Sequence, residues 1–146
     1  MDRSVKTPYA IYRLSLKTQA VSKIPGSDDM FGASVSRDGR YMTAHDHLER
    51  TMLYDFQTQQ WSEFAGGGTW SHDSKSVYSH RKNGNQSGEV VRISVPDGKV
   101  ERVLDLKDIT LGGYWPGGVS LLPDDSLLLM LNKNAQEICR LDLQYR

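Results

Sequence analysis

Val35-Ser36-Arg37-Asp38-Gly39-Arg40-Tyr41 is a polar turn between two apolar pieces, and the pattern occurs three times. The second copy is Trp70-Ser71-His72-Asp73-Ser74-Lys75-Ser76-Val77; the third is Leu121-Leu122-Pro123-Asp124-Asp125-Ser126-Leu127-Leu128. In each, an aspartate stands where its carboxylate can close the turn on nearby backbone N–H groups. Gly39 supplies a residue that takes positive φ without strain. Between these turns a second motif recurs: Leu14-Ser15-Leu16-Lys17-Thr18, Tyr54-Asp55-Phe56-Gln57-Thr58, Ile93-Ser94-Val95-Pro96-Asp97-Gly98 and Leu141-Asp142-Leu143. Each alternates apolar and polar residues, the period of a strand. The first three run into a Lys-Thr, Gln-Thr or Asp-Gly turn and then a second short strand, at residues 20–24, 60–64 and 99–104. That arrangement predicts hairpins.

The spacing is close to regular. Leu14 to Tyr54 is 40 residues, Tyr54 to Ile93 is 39, and Ile93 to Leu141 is 48. The longer last interval predicts an insertion in the Gly-rich stretch 107–118. A period of ~40 residues with four short strands per unit is the spacing of a β-propeller. The reading is an all-β fold of about three four-stranded antiparallel blades, a half-propeller, in a single segment spanning residues 1–146. The repeats fall at about 9–24 (partial), 32–64, 67–104 and 113–144. With the strands of a blade labelled a to d from the centre outward, strands c and d come first, at 9–16 and 20–24. Two complete blades follow, with inner strands near 32–36 and 67–71. The last blade supplies a, b and c near 119–122, 126–132 and 137–143. A helix through Val100, Val103, Leu104 and Lys107 is the competing reading of that stretch; the repeat favours a strand. Gly66-Gly67-Gly68 marks the crossing from a blade rim to the next inner strand, where backbones crowd. Trp70 is expected to pack between blades.

Composition excludes several classes. The chain holds 18 Lys and Arg against 18 Asp and Glu, with no basic run. Nucleic acid and membrane are therefore not expected as partners, since both are met by a clustered basic face. Cys139 is the one cysteine; it permits no internal disulfide and no cysteine-based zinc site. No stretch approaches the ~18 apolar residues of a membrane helix. Met1-Asp2-Arg3-Ser4-Val5-Lys6 is followed by no apolar signal core. The expectation is a chain without an export signal, cytoplasmic as written, or periplasmic if cut from a longer exported or membrane-anchored parent.

The Ser-x-Asp-Gly-x turn at residues 36–40, its variant at 70–73 and the Tyr54-Asp55-Phe56-Gln57-Thr58 strand resemble the WD40-like (PD40) repeat of TolB-type propellers. The likeness runs from about Tyr9 to Tyr145. The C-terminal stretch resembles the propeller part of bacterial proteins that join such a propeller to a winged-helix or kinase domain. Arg37 and His72 stand where that repeat has Pro, and Ser74 and Asp125 where it has Gly, which is expected to weaken those turns. The resemblance implies a fold; propellers host many unrelated activities.

No Gly-x-Ser-x-Gly elbow, P-loop, His-Glu-x-x-His or dinucleotide fingerprint occurs. The reading is therefore no enzyme and no cofactor. His45 and His47 flank Asp46 after strand b of the first complete blade, and His80 is offset from His45 by the 35 residues that separate Asp38 from Asp73. Imidazoles with a carboxylate are ligands for a divalent metal; the plain alternative is polar residues of exposed b–c loops. Tyr114 and Trp115 in the Gly-rich insertion are the expected ligand contacts, because loop aromatics often anchor partners. The expected function is a non-catalytic module that binds or senses a protein or small ligand and self-assembles, as a homodimer closing a six-bladed ring. The alternative is the propeller of an enzyme: a metal-dependent lyase, or the gate of a prolyl-oligopeptidase-like hydrolase.

Overall fold

The computed structural model describes residues 9–82, 88–107 and 119–130, and the backbone of 138–141. Its described residues form thirteen strands and no helix. They divide into two compact units, residues 1–35 with 39–64 and residues 36–38 with 65–146.

The first unit holds β1 (Tyr12–Leu14), β2 (Val21–Lys23), β3 (Phe31–Val35), β4 (Tyr41–His45), β5 (Thr51–Asp55) and β6 (Gln60–Glu63). β1 and β2 pair as a hairpin; the other four form an antiparallel sheet in chain order, β3-β4-β5-β6. The second unit holds β7 (Thr69–Trp70), β8 (Ser76–Arg81), β9 (Glu89–Ser94) and β10 (Val100–Asp105), again a four-stranded meander in chain order. Its second sheet is β11 (Val119–Leu121), β12 (Leu127–Met130) and β13 (Ile138–Leu141). These are the blades that the repeat predicts, with strands a to d in sequence. Observed strands are shorter than the expected ranges at several ends. The expected insertion at 107–118 lies almost wholly outside the described residues.

Burial follows position in the blade. β4 is buried at Tyr41, Met42, Thr43 and Ala44, and β9 at Val90, Val91 and Ile93. A strand covered on both faces carries a nearly continuous apolar run. The outer strands β6 and β10 are mostly exposed. In the first unit, Ile24, Met42 and Tyr54 form a core flanked by Ile11, Phe56 and Trp61. The Tyr54 ring meets Phe56 edge-on at 5.0 Å and Trp61 at 4.8 Å. The Trp61 indole N–H donates to the Pro25 carbonyl at 2.8 Å. In the second unit, Tyr78, Val90 and Leu106 pack with Val119, Leu127 and Leu129, so one apolar cluster spans both of its sheets. Thr69 Oγ1 also donates to the Val119 carbonyl at 3.0 Å, tying inner strand to inner strand.

The helical reading of residues 100–107 is overturned, and the reason is a bulge. β10 pairs with β9 from Val100↔Ile93 to Asp105↔Glu89, with a register shift between Arg102 and Leu104. A bulge puts two residues opposite one. Here it lets the consecutive Val103 and Leu104 both pack on the core cluster. That places apolar residues at i, i+3 and i+4 and imitates a helical face.

The three repeat turns share their chemistry. Ser36 Oγ donates to Asp38 Oδ1 at 2.6 Å, and Ser71 Oγ donates to Asp73 Oδ1 at 2.7 Å. Lys75 N–H donates to Asp73 Oδ1, and Ser126 N–H donates to Asp124 Oδ1. The Ser71 hydroxyl and then the Lys75 N–H hold the Asp73 carboxyl below the usual carboxylate range. Gly39, Ser74 and Asp125 occupy one left-handed conformation, at φ 72°, 61° and 62°. The two residues that replace glycine therefore keep the turn.

Gly68 is held at the crossing by crowding. A Cβ there would lie 2.0 Å from the Tyr78 carbonyl oxygen. One at Gly66 would lie 3.1 Å from Ile93 Cδ1. Trp70, at the end of β7, is buried.

Candidate functional site

His45 is the last residue of β4, paired with Phe31 on one side and Thr51 on the other. It thus belongs to strand b and does not follow it. Its ring packs on Phe31 at 5.7 Å between centroids, and Nδ1 lies 3.4 Å from Thr51 Oγ1. The close approach of its ring edge, 3.1 Å from where a Cβ at Gly32 would stand, suits a glycine at φ 67°. His47 is exposed in the loop that follows. His80 sits inside β8 opposite Val90, so it too is a strand residue and not a loop residue. A Cβ at Gly88 would lie 3.1 Å from its Nε2. His45 belongs to the first unit and His80 to the second. Among the described residues no group of three or more His, Cys, Asp or Glu side chains is gathered for a metal ion. Tyr114 and Trp115 lie outside the described residues.

Asp46, between the two histidines, has a different task. Its Oδ1 accepts the N–H groups of Leu48 and Arg50, each at 2.9 Å. Its Oδ2 accepts Arg50 Nε at 2.8 Å and pairs with the guanidinium at 2.7 Å. The carboxylate closes the b–c loop. Burial pushes its pKa up, but hydrogen bonds from the Arg50 side chain and from the Arg50 and Leu48 backbone outweigh that and hold it below the usual carboxylate range. The sequence signal was available: an Asp two residues before one N–H and four before an Arg is the pattern of a self-closed loop.

This loop gives a pH prediction. A carboxyl with a depressed folded pKa stabilises the fold above its unfolded value, about 4, and loses that stabilisation as pH falls through the folded value. Asp46→Ala removes the acceptor of two N–H groups in an exposed loop, where water can replace it, and is expected to cost about 0.5–1.5 kcal/mol at neutral pH. Thermal melts of wild type and variant should converge as pH falls below about 4. A gap that stays constant into acid would contradict the assignment.

No protein-family model matches the chain, and no curated protein sequence does. Among solved structures it is similar to TolB from Acinetobacter baumannii, with a TM-score of 0.65 at 14% sequence identity. The match covers 94% of this chain and 36% of the TolB chain. Identity that low speaks to architecture and not to activity. With the strand order and turns above, it identifies the fold of this chain as that of TolB-like β-propeller blades.

Proposed function

We propose that the chain is a non-catalytic β-propeller module that binds a protein or small ligand and self-associates, two copies closing a six-bladed ring. The observation that carries this reading is the outward face of the β1–β2 hairpin. The register Tyr12↔Lys23 and Leu14↔Val21 puts these four residues on one face. The pair Ile11 and Ile24 falls on the other face and joins the core. Tyr12 is 60% exposed, Leu14 56% and Val21 64%. A contiguous exposed apolar face marks an interface. In the second unit, β12 buries Leu127 and Leu129 on one face and leaves Met130, of the other parity, exposed. The hairpin face of one chain against the Met130 side of another suits a head-to-tail contact that closes after two copies. Within a longer bacterial protein, of the kind that joins a propeller to a winged-helix or kinase domain, a further blade of the same chain would take the hairpin face instead. The Gly-rich insertion with Tyr114 and Trp115 is the proposed ligand-contact element. The non-catalytic reading rests on a sequence without a nucleophile–base or cofactor motif.

Light scattering of the purified chain at micromolar concentration tests self-association. The expected result is a mass of two 16.5 kDa chains, falling to one chain in the double variant Leu14→Glu, Val21→Glu. A stable, soluble wild-type monomer would sink the proposal.

A further inference from the structure

Glycine suits the left-handed fourth position of the repeat turn, and the turn at 36–39 has it, with nothing within 4 Å of where a Cβ would stand. The other two turns carry side chains there at some backbone cost. Both side chains reach out of their own turn. Ser74 Oγ accepts the Asp38 N–H at 3.0 Å. Asp125 Oδ1 accepts from His72 twice, from the backbone N–H at 3.4 Å and from ring Nδ1 at 2.6 Å. The donor lies each time in the turn that precedes in sequence, 36 or 53 residues back. Meanwhile the backbone N–H of the same residue closes its own turn: Ser74 N–H donates to the Ser71 carbonyl, and Asp125 N–H to the Leu122 carbonyl.

We propose that the fourth turn residue is a latch between successive turns, and that Asp125 on His72 fixes the sheet β11–β13 against the sheet β7–β10. The apolar cluster between those sheets is non-directional and sets no register by itself. The Thr69–Val119 bond fixes the inner strands, and the His72–Asp125 pair fixes the turns that follow them. A carboxylate that receives both a ring N–H and a backbone N–H specifies one arrangement, since charge-assisted hydrogen bonds are the directional ones. The competing explanation is local: Asp is common in left-handed turns whatever lies nearby.

A double-mutant cycle on the full chain separates the two. His72→Ala, Asp125→Gly and the double variant are compared by urea denaturation. Glycine keeps the left-handed turn, so backbone strain is not the variable. The latch predicts that the unfolding constants of the single variants fail to multiply, with a discrepancy of at least about threefold. A smaller discrepancy means that the His72 ring and the Asp125 carboxylate are not coupled, and overturns the proposal. Ser74→Gly supplies an independent readout by amide hydrogen exchange. The Asp38 N–H is expected to exchange about tenfold faster while core amides of β8 and β9 keep their rates. An unchanged Asp38 rate would count against the latch at that turn.

Discussion

Gly68→Ala is expected to abolish stable folding of the second unit or to cost about 3 kcal/mol or more, beyond the usual range for overpacking. The added Cβ would stand 2.0 Å from the Tyr78 carbonyl oxygen and 3.2 Å from Ser79 Cα. Most overpacked side chains escape by changing rotamer. A methyl against backbone cannot, so β7 must move away from β8 and take Thr69 and Trp70 with it. A loss of that size is a large share of the ~5–15 kcal/mol that holds an ordinary domain together. Gly39→Ala is the control. Its Cβ meets open space, and only its φ of 72° is unfavourable, so about 1 kcal/mol is expected. Urea midpoints of the two variants check the contrast; equal losses would show that the crossing is not crowded.

Tyr54→Ala should cost about 3–5 kcal/mol, the range for removing a buried aromatic side chain. Tyr54 is 2% exposed and touches both Phe56 and Trp61. Its removal leaves Trp61 hydrogen-bonded to Pro25 but without the ring beside it. Urea denaturation followed by circular dichroism reads the loss as a lower midpoint. A loss under about 1 kcal/mol would mean that the core collapses into the space.

The blades were legible because each turn carries its aspartate at the same place and one alternating strand recurs at a nearly regular period. What the period conceals is local irregularity. The bulge at residues 102–104 makes a strand look helical, and the extension of β4 to His45 turns a loop histidine into a strand residue. The substitutions at Ser74 and Asp125 read as weakened turns because sequence shows only the missing glycine. The bonds they make are to Asp38 and His72, far away in the chain. The candidate site was less legible. His45 and His80 share a repeat position, but shared position does not show convergence, and the carboxylate of Asp46 is taken up by its own loop. Tyr114 and Trp115 fall in the insertion, where no repeat guides the reading.

Amide hydrogen exchange of the full chain tests the blade architecture most directly. Two sequence-central strands in each four-stranded sheet, β4 and β5, β8 and β9, should hold the slowest amides, because they are hydrogen-bonded on both sides and buried. Outer strands β6 and β10 should exchange faster, with protection only on amides that face β5 and β9. Uniform, consecutive protection through residues 100–107, the pattern of a helix, or fast exchange in β4 and β8, would contradict the account.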